Sequence, residues 1–411
     1  MPSVEFVITA FLAISLTASI FSSRTRAPYT LILVLFGLAI ASSSLSSMLS
    51  VNLLYDSLIG GGLFVGLVLP PLVFETMMNI SYDEFRAIFR PALRLATIGV
   101  AIATVVGGLF LWLIAQLPLI SAFVFSSMIA PTDTATVLEI FRKARLPRKL
   151  STLMETEAAF NDATGITIFT IIITSIGVSS QSLVRAGVTF GTIFGGGVLV
   201  GILVAFGAHL LSRLVDDPLS DTMVTITTVY GAYTAAEALG VSGLVAVSIA
   251  GLYYGNTTVK TWVRPQSIRT VRNFWRLMAF IANSLAFLYI GLSTDLSKIS
   301  GDLVPIGTAF AAVIIARLSA VYSILGASRI DGQPIPSSWK SVVMLGGMRG
   351  ALSIALAASL PATIPSRDLI TSMVLGVAFL SITVQGLLLS RYTRKKFPSR
   401  ALPGSTDSSN D

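Results

Sequence analysis

The chain has no cysteine and a single histidine, His209, in 411 residues. The first absence excludes disulfides, thiolate metal sites and cysteine nucleophiles. The second leaves no histidine pair for a metal or for acid/base work. Charge is scarce as well. Asp, Glu, Lys and Arg together make 12% of the residues and hydrophobic side chains 54%, where a soluble domain carries about 25% charged residues. With a mean hydropathy of +0.82, neither a soluble globule nor a disordered chain fits. A phosphate-binding loop is missing too. Gly60-Gly-Gly62 lies in an apolar run with no Lys-Ser/Thr after it, so no ATP and no cofactor are expected.

What the sequence has instead is length of apolar run. About 20 residues of helix cross a ~30 Å hydrocarbon core. Thirteen stretches qualify, at about 3–22, 28–46, 58–80, 91–115, 118–141, 149–175, 183–212, 219–238, 241–255, 266–292, 303–327, 338–361 and 367–391. The expected fold is an all-α polytopic membrane protein, embedded in the lipid bilayer of the cell. The first stretch does not read as a cleaved signal, because it opens on Glu5 rather than a basic region. The net charge of +8 would suit nucleic acid, but its distribution argues otherwise. With thirteen crossings, 23 of the 28 Lys and Arg residues fall in one set of alternating loops, and only Arg185, Lys298 and Arg367 in the other. Arg317 and Arg349 lie inside spans. That asymmetry follows the positive-inside rule. It places the N-terminus outside and the C-terminus in the cytoplasm, and removes nucleic acid as a partner. Residues 397–411 are short, polar and Ser/Pro/Gly-containing, and read as a disordered tail.

Ionisable groups at membrane depth are costly and persist when paired or functional. Six stand out: Glu75, Asp133, Glu157, Asp162, Arg317 and Arg349. At 1.5 Å per residue, Asp133, Asp162, Arg317 and Arg349 all fall near the middle of their spans, on four different helices. Glu75 is the least central. Four midplane charges point to one buried polar centre. If the two arginines each neutralise one acid, two carboxylates remain. Two like charges in low dielectric do not both stay ionised cheaply, so they bind a proton or a metal cation. Only oxygen ligands are available, which suits a hard alkali cation.

Two spans are interrupted. Pro131, in Ala130-Pro-Thr-Asp-Thr-Ala-Thr136, removes a backbone donor from the fifth, and Thr132, Thr134 and Thr136 can re-satisfy freed groups. Gly346-Gly-Met-Arg-Gly350 breaks the twelfth. Paired interruptions point to inverted repeats with an ion site where helices 5 and 12 cross. The repeats are expected at about 1–176 and 217–396, six helices each, with 183–212 as the linker helix. On the sixth span, Glu157 and Asn161 are spaced i, i+4 and share a face, while Asp162 lies ~100° round from Asn161, over Ala158. That arrangement aims Asp162 at the ion and turns Glu157 to a structural partner. Glu155 is one turn nearer the cytoplasm. On the seventh span, Gly187, Gly191 and Gly195, then Gly197 and Gly201, form small-xxx-small repeats suited to close helix packing.

These residues resemble the NhaP-type sodium/proton antiporters of archaea and bacteria, in the cation:proton antiporter-1 family. The landmarks are Leu69-Pro-Pro-Leu-Val-Phe-Glu75, Ala130-Pro-Thr-Asp133, Glu157-Ala-Ala-Phe-Asn-Asp162, Ala235-Ala-Glu-Ala-Leu-Gly-Val-Ser-Gly243, Gly346-Gly-Met-Arg-Gly-Ala351 and Val384-Gln-Gly386. The resemblance spans about residues 5–391. It implies that Asp162 carries the cation and the proton, with the adjacent Asn161 completing the transport centre. Asp133 and Glu75 would add ligands to Na+, and the Thr132 carbonyl would complete the shell. Glu157 would pair with Arg349, leaving Arg317 as a further counter-ion. It further implies a homodimer, a core of six helices moving against a dimer-forming part, and, with a neutral Asn161, one cation for one proton. Two positions depart from the family: Ala158 stands where a serine hydroxyl is usual, and proline precedes Asp133 by two residues instead of following it.

The expectation is therefore a secondary antiporter exchanging Na+, or Li+ or K+, for H+ by alternating access, and not an enzyme. A K+/H+ antiporter or a cation channel on the same fold is the alternative. An intramembrane hydrolase would need a nucleophile with its base, or a carboxylate dyad that Asp133 and Asp162 could imitate.

Overall fold

The structure is a computed structural model that describes residues 4–25, 28–43, 63–134, 137–138, 140–141, 146–175, 183–293 and 301–397. Gly60-Gly-Gly62 and the tail beyond Phe397 lie outside the described residues. Apart from a two-residue hairpin, the regular structure is helical. In chain order the helices are α1 (Val4–Thr25), α2 (Tyr29–Ala41), α3 (Leu63–Asn79), α4 (Tyr82–Leu113), α5 (Leu119–Ile129), α6 (Arg148–Thr174) and α7 (Leu183–Ser212). They continue with α8 (Pro218–Ala238), α9 (Gly243–Tyr253), α10 (Pro265–Leu292), α11 (Leu303–Gly326), α12 (Ser337–Leu345), α13 (Ala351–Ala358) and α14 (Arg367–Lys396). Each of the thirteen apolar stretches contains helix. Five of the described helices, α4, α7, α10, α11 and α14, are long and apolar enough to cross a membrane alone. Large apolar side chains stand exposed on the perimeter, among them Leu199, Leu203 and Val304, as lipid-facing positions require.

Two boundaries differ from expectation for physical reasons. The fourth stretch, expected from about 91, begins at Tyr82. Its first turns are amphipathic, with Phe85 and Ile88 buried and Arg86, Arg90 and Arg94 exposed, so hydropathy alone does not find them. Ser81 caps this end by accepting from the Glu84 amide at 3.3 Å, and Asp83 and Glu84 suit the positive helix end. The ninth stretch, expected to stop near 255, runs through a π-turn at Tyr254–Thr258 to Val259–Thr261.

The helices pack as two groups. α1, α2, α3, α7, α8, α9 and α10 contact one another, and so do α4, α5, α6, α11, α12, α13 and α14. The seam between them is made by α6 against α3, α7 and α9, and by α10 against α13 and α14. In the first group α2 and α10 touch backbone to backbone: a Cβ added at Gly37 would lie 2.9 Å from the Gly291 Cα. Gly197 and Gly201 likewise let α7 close on α9, whereas Gly187, Gly191 and Gly195 face open space. The small-residue stripe is thus a packing face over only half its length. Pro71 leaves the Leu67 carbonyl of α3 without its helical donor, and the Tyr230 hydroxyl of α8 reaches it at 3.5 Å. In the second group the hairpin pairs Arg329 with Pro334 and Ile330 with Gln333. Asp331 and Gly332, both at positive φ, make its turn.

Candidate functional site

Both expected interruptions are present. α5 stops at Ile129 with Ala130 as its C-cap, and the chain is non-helical from Pro131 to Thr134. Gly346–Gly350 separates α12 from α13. The breaks meet, because the Asp133 amide donates to the Met348 carbonyl at 2.8 Å. The contact is too close for any side chain at Gly350, where a Cβ would overlap the Asp133 carboxylate. Gly165 of α6 is held in the same way, against the ring of Pro131.

Beside this crossing lies a cavity of about 230 Å³. Its polar lining comes from Glu75 and Thr76 on α3, Thr132, Asp133 and Thr134 in the break, Glu155 and Asp162 on α6, Asn283 on α10 and Ser353 on α13. Four of these are carboxylates, and among the described residues no Lys or Arg lines the cavity. Asp133 stands near enough to Asp162 for the two carboxylates to repel one another. Among the described residues, nothing donates a hydrogen bond to Asp162. Ala158 contributes only a methyl group to the lining.

The opposite side of α6 holds a closed network. Arg317 forks onto Glu157, with Nη1–Oε1 at 2.5 Å and Nη2–Oε2 at 3.0 Å, and Nη2 also donates to the Val343 carbonyl at 3.1 Å. Thr132 Oγ1 donates to Glu157 Oε1 at 3.3 Å. Asn161 Nδ2 donates in turn to Thr132 Oγ1 at 2.9 Å and to the Thr132 carbonyl at 3.3 Å.

Three expectations are corrected by this geometry. Glu157 pairs with Arg317, not with Arg349. The Arg349 guanidinium instead donates from Nη1 to the carbonyls of Ala130 and Pro131, at 2.9 and 3.0 Å. Those carbonyls end α5, where the break has removed their helical donors, and a cation suits the negative end of a helix. Asn161 does not line the cavity: it is fully buried, and its amide nitrogen donates to Thr132. Its i, i+4 spacing from Glu157 carried that signal, since a residue sharing Glu157's face turns to the network with it. Finally, Glu75, Asp133 and Asp162 line one cavity without gathering into a cluster. Among the described residues no three acids or histidines are close enough to hold a metal ion as a group.

Thr76, Asn283 and Ser353 were not singled out from the sequence. Asn283 offered a signal, as an amide in the apolar half of α10. Thr76 and Ser353 did not, being small hydroxyl residues of a kind common in such helices. Glu237, at the end of α8, accepts from the Gly243 amide at 3.1 Å and so joins two helices.

Two interrupted helices with their breaks tied together, beside a cavity lined by acids, define a secondary ion transporter. Comparison with known proteins agrees. The family described as sodium/hydrogen exchanger, transmembrane, matches residues 8–395, and the chain belongs to that family. It is 34% identical over 349 residues to the Na+/H+ antiporter NhaP of Pseudomonas aeruginosa, covering 81% of each chain. It is 32% identical over 387 residues to the low-affinity Na+/H+ antiporter NhaS1 of a Synechocystis strain, covering 93% of this chain and 72% of the relative. The solved sodium proton antiporter MjNhaP1 of Methanocaldococcus jannaschii shares the fold. Its TM-score is 0.75 at 21% identity, over 96% of this chain and 99% of that one.

Proposed function

We propose that the chain exchanges Na+ for H+ across the cell membrane, one for one, by alternating access. The observation that carries this reading is the charge arrangement of the cavity. Both buried arginines are committed behind it, Arg317 to Glu157 and Arg349 to two carbonyls. Asp162 then faces the cavity with no hydrogen-bond donor, and among the described residues no Lys or Arg lines its wall. A carboxylate in that position is neutralised by whichever positive species the solvent supplies. Asp162 binds Na+ or a proton in turn, with Asp133 as the second acid. The Thr132 carbonyl keeps one lone pair beyond the one used by Asn161 and completes the contacts.

Neutralised by either species, the group α4–α6 and α11–α14 crosses; with Asp162 bare it does not. The two six-helix repeats about 1–176 and 217–396, the linker 183–212, a homodimer, and an N-terminus outside with a cytoplasmic C-terminus belong to the same proposal. The basic-loop asymmetry supports the orientation.

The test is proton flux in proteoliposomes carrying an internal pH dye, on adding Na+, Li+ or K+. Flux that follows the added cation, is indifferent to a clamped membrane potential and vanishes in Asp162→Ala is the expected result. Unchanged exchange in Asp162→Ala removes Asp162 as the carrier. Cation flux with no counter-moving proton would assign a channel instead.

A further inference from the structure

The cavity wall is drawn from both helix groups, and its polar side chains are not equally engaged. Thr132 is tied to Glu157 and Asn161. Thr76, Thr134, Asn283 and Ser353 also line the space, and among the described residues none of their side chains makes a hydrogen bond. Ser353 is the most buried of the four, at 1% exposure. A buried hydroxyl on a helix commonly donates to the carbonyl four residues back. Thr164, Thr167 and Ser248 do so here, at 3.0, 2.7 and 2.8 Å. Ser353 has no such outlet. It is the third residue of α13, so the residue four back is Arg349, in the break. Gly350, between that break and the helix, is extended at φ −124° and ψ −156°.

Buried polar atoms are nearly always satisfied, and the surroundings say what would satisfy this one. Gly350 abuts the Asp133 carboxylate, and the N-cap and third residue of a helix are neighbours in space, which sets Ser353 beside the acids. Asp162, which receives no hydrogen bond among the described residues, lines the same cavity of about 230 Å³. That is room for an ion with several waters. Among the described residues no three acids or histidines gather closely enough to hold a metal ion as a group, so neutral oxygens have to complete a shell. A serine hydroxyl offers two lone pairs. It is a hard ligand suited to an alkali cation, and it adds no charge, so a one-for-one exchange stays balanced.

The two helix groups give the wall's ligands different roles. Ser353 belongs to the group of Asp162, since α13 packs on α5 and α14. Asn283 and Thr76 stand across the seam, on α10 and α3. The cavity reaches from Asp162 back to Glu155, about two turns nearer the basic start of α6, the end that the loop charges assign to the cytoplasm. Resting on the exchange reading above, we propose that the ion's shell is divided. Ser353 is a ligand carried across with Asp162, and Asn283 is a ligand met only while the cavity faces the cytoplasm.

The test compares the two faces of the membrane. Half-saturating Na+ is measured in everted vesicles, which present the cytoplasmic face, and in right-side-out vesicles. Ser353→Ala should raise it about fivefold from both faces, the loss of one ligand oxygen, and leave the ratio between faces unchanged. Ser353→Cys keeps the size of the side chain, exchanges oxygen for soft sulfur, and should do the same; it decides the matter if the alanine variant fails to fold. Asn283→Ala should raise the value about fivefold in everted vesicles only. A parent-like value in folded Ser353→Ala, or a shift from one face alone, overturns the carried ligand. Equal shifts from both faces in Asn283→Ala overturn the division. Thermal unfolding of the purified chain in NaCl against choline chloride reads the Ser353 oxygen without transport. Should parent vesicles show no exchange, the transport reading fails and the carried role with it, whereas a Na+ response weakened by Ser353→Ala would still place the ligand.

Discussion

Asn161 and Asp162 are neighbours on α6, yet they face two different environments. The side of α6 that carries Glu157 and Asn161 is fully buried. Each group there meets the next, from Arg317 through Glu157 and Thr132 to Asn161. The side that carries Glu155, Ala158 and Asp162 opens on a cavity whose described lining contains acids and no Lys or Arg. The contrast separates two uses of a buried carboxylate. Glu157 has its counter-charge built in and serves rigidity. Asp162 has none among the described residues, which suits the carrier role proposed for it.

The largest expected effect breaks that contrast from the closed side. Glu157→Gln removes one partner of a buried ion pair and strands the Arg317 guanidinium. Such a change costs about 3–5 kcal/mol, enough to remove most of the folded protein. Asp162→Asn, one turn away, should abolish exchange while leaving folding unharmed or improved, because it deletes a charge with no partner. Fluorescence-detected size exclusion on heating, run beside the flux assay, reads both variants. Equal unfolding temperatures for the two would mean that Glu157 and Asp162 are not differently held. The double variant Glu157→Gln, Arg317→Met should recover part of the lost stability, since it leaves neither charge stranded.

A smaller effect sharpens the contrast from the open side. Ala158 sets a methyl group in the cavity wall beside the acids. Ala158→Ser adds one oxygen where the transported ion would pass. The half-saturating Na+ concentration should fall about fivefold, the worth of one added hydrogen-bond-strength contact of ~1 kcal/mol. The unfolding temperature should stay in place, because no network residue is touched. A Na+ dependence identical to that of the parent chain would remove Ala158 from the ion's path.

Much of this was legible from residue order alone. Apolar length marked the helices, and Pro131 and Gly346–Gly350 marked the breaks, because each acts on its own backbone within a turn. Asp162 was legible from its depth. Which arginine holds Glu157 was not. Arg317 and Arg349 sit at similar depths, and the choice depends on where α11 and the α12–α13 break stand relative to α6. Arg349, moreover, is taken by two backbone carbonyls, partners that no pattern of charged residues reveals.

The smallest effect concerns the rim of the first helix group. Asp217 is fully exposed and caps α8. Hydrogen bonds from Ser220, and from the Leu219 amide, hold its carboxyl below the usual carboxylate range. A carboxylate whose affinity for protons falls on folding stabilises the folded form above its unfolded pKa of about 3.9. That contribution fades as pH drops through the lower, folded value. Asp217→Ala should therefore lower the unfolding temperature slightly at pH 5–8, by an amount that does not vary across that window. The difference should shrink towards zero in more acid solution, where the parent chain loses its charged cap. Solvent screens an exposed group, so the shift stays well below that of Glu157→Gln. A difference that persists unchanged at the lowest pH would show that the Asp217 side chain acts through packing and not through its charge.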